Sequence, residues 1–338
     1  MGQCYFSGSN SGEGFHNYFD GVVPVWARLT RYFMIKGGPG VGKSTLMKRV
    51  AAKAEEAGEE VERFYCSGDP DSLDAVRLVK RGIVFADATS PHTMDPQFPG
   101  AVEEIVNLGE HIDRTRIIRY RDAVESLTRK NKECYRRGYA FLRAAKALEE
   151  ERYREIADCV EKEKLVKQGK EMAERIGKEE ERQSRRLFLD ALSCKGRVSF
   201  AKDLCEGNRV YRVIGAEKDV VTDLLARQLV LDCKELFCSP LRPRSINHML
   251  CREQELFLTC ENGTGGTVLV AEEFLKKKCH PSAEQFYAEA RRLEEEAMQC
   301  LSQCKKMHDE LEDIYKECVD FVTVSERTEK LLEVVTKL

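Results

Sequence analysis

Nine consecutive residues combine closely spaced glycines with a lysine and two hydroxyl side chains. Eight of them satisfy the pattern G-x-x-x-x-G-K-[ST], and with the next residue they are Gly37, Gly38, Pro39, Gly40, Val41, Gly42, Lys43, Ser44 and Thr45. Glycines let backbone N–H groups approach a multiply charged phosphate closely, and the lysine can reach the β- and γ-phosphates. The Ser44 hydroxyl is the expected Mg²⁺ ligand. The stretch, a P-loop, predicts a site for a nucleoside triphosphate, ATP or GTP, with Mg²⁺.

The residues on either side of the P-loop predict the elements that hold it. Residues 32–35 are an apolar run typical of a buried strand. Thr45, Leu46, Met47 and Val50 follow at helical spacing, and we expect this helix to end near Gly58. The N-terminal end of such a helix attracts anions, because its unpaired N–H groups and its dipole both face the ligand.

A second candidate residue is Asp87, which follows the apolar run of residues 83–86. In P-loop proteins an aspartate at the end of such a strand holds Mg²⁺ beside the phosphates. We therefore expect Lys43 and Asp87 to act in phosphoryl transfer, with Ser44 and Asp87 as metal ligands. No glutamate follows Asp87, so another group must orient a water or an acceptor. The candidates are Asp69, Asp71, Asp74 and His92, each of which could equally be an ordinary turn or cap residue.

Composition excludes several classes of protein. The 338 residues include 55 Lys and Arg against 58 Asp and Glu, a balance that argues against a nucleic-acid binder. No run of about 18 apolar residues predicts a membrane span, and the N-terminus does not look like a secretory signal. Fourteen cysteines without any C-x-x-C pair favour reduced thiols over disulfides or a metal site. We expect a cytoplasmic protein.

Two long charged segments predict helical arms. Within residues 101–190, apolar side chains recur every seven residues at Leu127, Cys134, Phe141 and Leu148. This spacing indicates a long amphipathic helix, and we expect a second helix from about 153 to 190. From Pro281 onward a row of apolar residues at the same spacing predicts one helix of about forty residues, coiled-coil-like. We expect the arms to pair within the chain; a protein partner or self-association through them is the alternative.

The two halves of the chain resemble each other. Residues 31–37 align with 209–215, residues 64–67 with 236–239, and residues 83–86 with 256–259, in one order and at almost one offset. This pattern predicts an internal duplication. The second copy is expected to be degenerate, because Val220 and Val221 replace the glycine and lysine, Cys260 replaces Asp87, and two acids would repel phosphate: Glu217 and Asp219. Arg242 and Arg244 could reach the first site as cations, or could be ordinary surface arginines.

Together these patterns predict an α/β fold of the P-loop NTPase type. We expect a parallel sheet, internally duplicated, with long charged helical arms. The expected divisions are a nucleotide-binding copy (1–112), a helical arm (113–187), a degenerate copy (188–280) and a C-terminal long helix (281–338). Whether the copies share one sheet or form two domains stays open at this stage.

Three stretches, KGGPGVGKSTLMKR, FYCSGDPDSLDAV and DATSPHTMDPQFPGAVEEIVNLGE, are similar to an uncharacterised bacterial family of tandem P-loop proteins described as ATPases. The resemblance implies nucleotide binding and a duplicated architecture, but no substrate, and the decayed second motif departs from it.

Three functions follow as alternatives: an ATP- or GTP-hydrolysing switch, which we favour; a nucleotide-dependent kinase of a small acceptor; and a non-catalytic nucleotide-binding scaffold. The order of strands in the sheet would discriminate between the first two.

Overall fold

Two six-stranded mixed sheets form the centre of the structure. The computed structural model describes residues 2–24, 27–176, 184–229, 235–276 and 282–337. The strands of the first half are β1 (Gln3–Phe6), β2 (Gly8–Ser11), β3 (Gly14–Asn17), β4 (Arg31–Lys36), β5 (Val61–Tyr65), β6 (Leu73–Leu78), β7 (Ile83–Asp87) and β8 (Glu103–Asn107). Six of these form the first sheet, in the order β1-β5-β6-β7-β4-β8, and β2 pairs with β3 in a hairpin. Helix α1 (Lys43–Glu56) follows the P-loop.

The second half repeats this arrangement. Its strands are β9 (Arg185–Leu187), β10 (Asp190–Ser193), β11 (Gly196–Ser199), β12 (Arg209–Ile214), β13 (Glu235–Cys238), β14 (Ile246–Cys251), β15 (Leu256–Thr259) and β16 (Thr267–Val270). The second sheet has the order β16-β12-β15-β14-β13-β9, which is the order of the first sheet read from its other edge. The parallel and antiparallel pairs also correspond one to one. The halves therefore have separate sheets of one topology.

Neither sheet is purely parallel, so the expectation of a parallel sheet is wrong. Strand β6 runs antiparallel to both of its neighbours, β5 and β7. In the sequence alone, residues 72–76 suggest the start of a short helix, which the structure does not show. All six residues of β6 are buried, and a run buried on both faces has the pattern of a central strand rather than of an amphipathic helix.

Two further sequence expectations require correction. The polar, glycine-rich composition of residues 1–30 predicts an irregular segment, but residues 3–17 include β1 and the β2–β3 hairpin. The side chains of β2 are buried, and the Asn10 amide donates to the Leu192 carbonyl over 2.9 Å. Matching bulges in β5 and β13 place Phe64 opposite Ala75 and Phe237 opposite His248, which are the third residues of β6 and β14. Phe64 therefore corresponds to Phe237 in the structure, whereas the sequence alignment pairs Phe64 with residue 236.

The inner faces of the two sheets pack against each other. Tyr5 of the first sheet stacks on Phe237 of the second with ring centroids 5.8 Å apart, inside a shared apolar cluster. The outer face of the first sheet is covered by α1, and that of the second sheet by α5 (Lys218–Leu229). The result is a helix–sheet–sheet–helix arrangement.

A buried ion cluster lies at this sheet–sheet contact. Arg185 donates to Glu62 over 2.7 Å and lies 2.8 Å from Glu235, at corresponding positions of β5 and β13. Burial would raise the pKa of Glu62, but the charges of Arg185 and Arg77 bring it below its ordinary value. Arg185 therefore bridges a carboxylate from each half, and each carboxylate has a second arginine beside it, Arg77 at 2.9 Å from Glu62 and Arg252 at 2.7 Å from Glu235.

The helical arms cross between the halves. They consist of α2 (Arg114–Ile117), α3 (Arg121–Cys159), α4 (Lys162–Ile176), α6 (Ser282–Lys316) and α7 (Phe321–Lys337). Helices α3 and α6 pair antiparallel over most of their length, as expected, with Glu155 near Ser282 at one end and Tyr120 near Glu317 at the other. Helix α4 packs against α5, and α7 packs against α1. Each half is thus covered by the arm that follows the other half.

The arms are more interrupted than the sequence suggested. Helix α3 continues to Cys159, α4 ends at Ile176, and residues 185–187 are a strand, so no second helix spans 153 to 190. The single C-terminal helix is two helices, because Asp320 accepts hydrogen bonds from Val322 N and Thr323 N and starts α7 anew. The predicted first residue, Pro281, lies outside the described residues.

Most cysteines in the described ranges are free thiols. Eleven cysteines are free thiols, as expected, whereas Cys251 is disulfide-bonded, which the sequence reading did not anticipate.

No described helix has both the length and the apolar character needed to cross a bilayer. A cytoplasmic location stays a prediction.

The ion cluster yields a stability prediction. Arg185→Gln should lower the free energy of unfolding by about 1.5 to 3 kcal/mol, because it removes charge-assisted contacts to Glu62 and Glu235 while Arg77 and Arg252 still pair with these carboxylates. Urea unfolding measures this loss. The control is Arg136→Gln, which breaks an exposed pair with Glu133 and should cost about 0.5 kcal/mol or less. Equal losses in the two variants would contradict the role given to Arg185.

Candidate functional site

The first six residues of the P-loop, 37–42, connect β4 to α1, and its last three begin α1. Gly40 and Gly42 have φ of 71° and 96°, a conformation that other residue types rarely adopt. Val41 between them is fully buried and anchors the loop in the core under α1. The glycines therefore allow the sharp turn, and the apolar residue fixes its position.

The structure brings Lys43, Ser44 and Asp87 to one edge of the first sheet. The Lys43 ammonium donates to the carbonyl oxygens of Gly37 and Gly38 over 3.0 and 2.9 Å, and it lies 3.7 Å from Asp87 Oδ2. Asp87 pairs in register with Ile35, at the end of the strand beside β4. The Asp87 Oδ1 atom accepts a hydrogen bond from Thr89 N over 2.8 Å, which fixes the carboxylate.

Ser44 links the P-loop to the start of β6. Its hydroxyl oxygen accepts a hydrogen bond from Leu73 N over 3.0 Å. The next residue along, Asp74, is thereby held at the same edge as Lys43. Thr45, the last residue of the predicted binding stretch, is exposed.

Asp74 and His92 are buried together behind Lys43. The His92 Nε2 atom is 3.4 Å from Asp74 Oδ2, and that oxygen has no hydrogen-bond partner among the described residues. Burial raises the pKa of Asp74 to about 6; the charge of His92 lowers it and that of Asp87 raises it. A carboxyl with this environment can hold or accept a proton near neutral pH.

The other two acidic candidates are turn residues. Asp69 accepts a hydrogen bond from the Ser72 hydroxyl over 2.9 Å, and the exposed Asp71 pairs with Lys195 on the surface. Of the four candidates for orienting a water or an acceptor, only Asp74 and His92 are buried beside the P-loop lysine.

Helix α6 contributes residues that sequence reasoning missed. A Cβ atom added to Gly40 would lie 2.7 Å from the backbone oxygen of Glu312, and one added to Gly38 would lie 3.0 Å from the Tyr315 ring. The end of α6 is therefore in van der Waals contact with the P-loop. No local pattern indicates this contact, because it depends on the crossing of the arms.

The corresponding loop of the second half is bound by the protein's own carboxylates. Ala216 N donates to Glu272 Oε1 over 3.2 Å, and Asp219, in the first turn of α5, pairs with Arg152 and Arg242. Burial would raise the pKa of Asp219, but these two guanidinium charges lower it. Acidic groups thus fill the second loop.

Arg242 does not reach the first site. It is buried in the second half, 3.4 Å from Asp219 and stacked over the Tyr153 ring at 4.7 Å from its centroid. The suggestion that it supplies a cation to the first loop is therefore wrong. Arg244, on the same loop, is exposed in the second half.

The donor set fits Mg²⁺ only together with a phosphate ligand. No group of three or more His, Cys, Asp or Glu side chains in the described ranges could hold a metal ion. Mg²⁺ commonly uses one or two protein oxygens plus substrate phosphates and water. Ser44 and Asp87 are such a pair, so the residues present fit a nucleotide-bound magnesium ion.

Comparisons with known proteins return no relative. No protein-family model matches the sequence, and neither the curated proteins nor the solved structures give a significant match. The resemblance to tandem P-loop proteins stays a prediction from the motifs.

The buried carboxyl gives a pH-dependent prediction. A carboxyl that titrates near 6 rather than at 3.8 binds its proton more tightly in the folded protein, so its contribution to stability falls as pH rises from about 4 to 6. The full difference is worth about 3 kcal/mol. Asp74→Asn should therefore stabilise the nucleotide-free protein at pH 7, by roughly 1 to 3 kcal/mol after the cost of orienting the amide, and by much less at pH 4.

Thermal unfolding at the two pH values measures this difference. Asp71→Asn, at an exposed position of the turn that precedes β6, is the control and should change stability little at either pH. A gain that is equal at pH 4 and pH 7 would contradict the environment described for Asp74.

Proposed function

We propose that the protein binds one molecule of ATP or GTP with Mg²⁺ at the P-loop of its first half and hydrolyses it. The observation that carries the proposal is the convergence of Lys43, Ser44 and Asp87 at one sheet edge, with the Lys43 ammonium inside the loop and 3.7 Å from Asp87. These are the groups that phosphoryl transfer requires: a cation, two metal ligands and backbone N–H donors.

Each residue has a role in this scheme. Backbone N–H groups of residues 37–45 and the start of α1 hold the phosphates, and Lys43 balances charge at the β- and γ-phosphates. Mg²⁺, held by Ser44 and Asp87, would neutralise the charge that develops on the leaving phosphate. Asp74, with His92 beside it, is positioned to accept the proton of the attacking water.

The second half is, in this proposal, a duplicated and degenerate copy. Identical strand order, matching strand directions and matching bulges support the duplication. Occupation of its loop by Glu272 and Asp219 supports the loss of binding. The motif resemblance to tandem P-loop ATPases agrees with both points.

A nucleotide-dependent kinase of a small acceptor is the second candidate. Strand β7, which ends in Asp87, lies directly beside the P-loop strand β4, as in many kinase-type P-loop folds. The buried Asp74 could take a proton from an acceptor hydroxyl as well as from water. Hydrolysis and transfer are separated by measurement below.

The first prediction concerns the P-loop lysine. Lys43→Ala should weaken Mg–ATP binding at least tenfold and abolish phosphate release, since it removes the cation nearest the phosphates. Isothermal titration and a phosphate-release assay with ATP and GTP measure both. The control is Lys48→Ala, an exposed lysine of the same helix. Unchanged affinity in Lys43→Ala would rule out the assigned site; binding without release in the native protein would favour the kinase.

The second prediction concerns stoichiometry. The native protein should bind one nucleotide per chain, and Val221→Lys alone should leave that number unchanged, because Asp219 and Glu272 still fill the second loop. Equilibrium dialysis with radiolabelled ATP gives the number directly. Two nucleotides bound per native chain would disprove the degenerate copy.

A further inference from the structure

The end of α6 forms a wall of the proposed nucleotide site. Its residues Lys305, His308, Glu312 and Tyr315 lie on one face at helical spacing. Glu312 and Tyr315 contact the P-loop glycines, as described above. This face of α6 therefore runs from its contact with the P-loop back toward the start of the helix.

Lys305 spans the gap between this helix and the acidic turn. Its ammonium is 3.6 Å from Asp69 Oδ2 and pairs with Asp309 on its own helix. The turn that contains Asp69 leads directly to Leu73, which is hydrogen-bonded to Ser44. Lys305 is thus linked through this turn to Ser44, the expected Mg²⁺ ligand.

The charge of Lys305 is maintained in this position. Burial acts to lower its pKa, but the hydrogen bond to Asp309 and the charge of Asp69 raise it above its ordinary value. Both carboxylates are partly exposed. A terminal phosphate carries more negative charge than either of them and can compete for the ammonium.

An arm cation also lies at the corresponding loop of the second half, although at a different position of its helix. There Arg152 of α3 pairs with Asp219, the acidic group in the first turn of α5. The first turn of α1 carries no acidic residue, so an anion at that place in the first half would have to come from a ligand.

We propose that Lys305 is the cation that contacts the terminal phosphate of the bound triphosphate, so that α6 completes the site. The inference rests on the proposed nucleotide site. It gives Lys305 a specificity role, because a diphosphate does not extend to it, and it makes the crossed arm part of the catalytic site.

The test compares triphosphate with diphosphate in charge-neutral variants. Lys305→Gln should leave Mg–ADP affinity within about twofold, weaken Mg–ATP affinity about tenfold and reduce phosphate release about 100-fold, a loss of the size seen when one stabilising donor is removed. Lys306→Gln, exposed on the same helix, is the matched control, and Lys305→Arg should restore most of the activity. Thermal unfolding without nucleotide checks that the variants fold.

A second variant tests the inference with the opposite sign. Asp309→Asn removes a competing partner of Lys305 and should tighten Mg–ATP binding without changing Mg–ADP binding. An unchanged ATP-to-ADP affinity ratio in both variants, relative to Lys306→Gln, would overturn the role of Lys305. Failure of the proposed function itself would look different, because the native protein would then bind no nucleotide in a manner sensitive to Lys43→Ala.

Discussion

The contact between the inner faces of the two sheets is the constraint on which the rest of the structure depends. Each sheet covers one face of the other with large apolar side chains, among them Tyr5, Phe64, Phe237 and Phe257. Because the inner face of each sheet is buried against the other sheet, helices can cover only the outer faces. The P-loop at the start of α1 is therefore held between its sheet and the helices outside it. At the shared interface, Arg185 bridges carboxylates from both sheets.

Crossing of the arms follows from this arrangement. The apolar cluster under α1 is completed by Leu331 and Leu332 of α7, and the cluster under α5 by Leu165 and Met172 of α4. Burial of these side chains stabilises each half by contacts with a segment from the far end of the other half. The P-loop is also in direct contact with the helix pair α3–α6, because the end of α6 packs against Gly38 and Gly40.

Sequence reasoning succeeded where structure is encoded locally. The P-loop, its strand and its helix, and Asp87 at the end of β7, are found where spacing placed them, because glycine conformation and apolar runs are short-range properties. It failed for β6, whose uniformly buried residues lack the alternation of a surface strand, and for the N-terminal hairpin, whose buried Ser9 and Asn10 are satisfied by hydrogen bonds. The wall formed by Glu312 and Tyr315 has no local signal, since it depends on tertiary packing.

The crossed arms also bear on how such a chain could have arisen. A chain with only one half would leave the apolar face of its arm uncovered, and two copies could bury both faces by exchanging arms, as the two halves do here. Joining two such copies end to end would preserve every one of these contacts while freeing the halves to change independently. Once joined, one half could fill its loop with its own carboxylates and keep only the role of supporting the other half. A symmetric pair would then become a single asymmetric molecule.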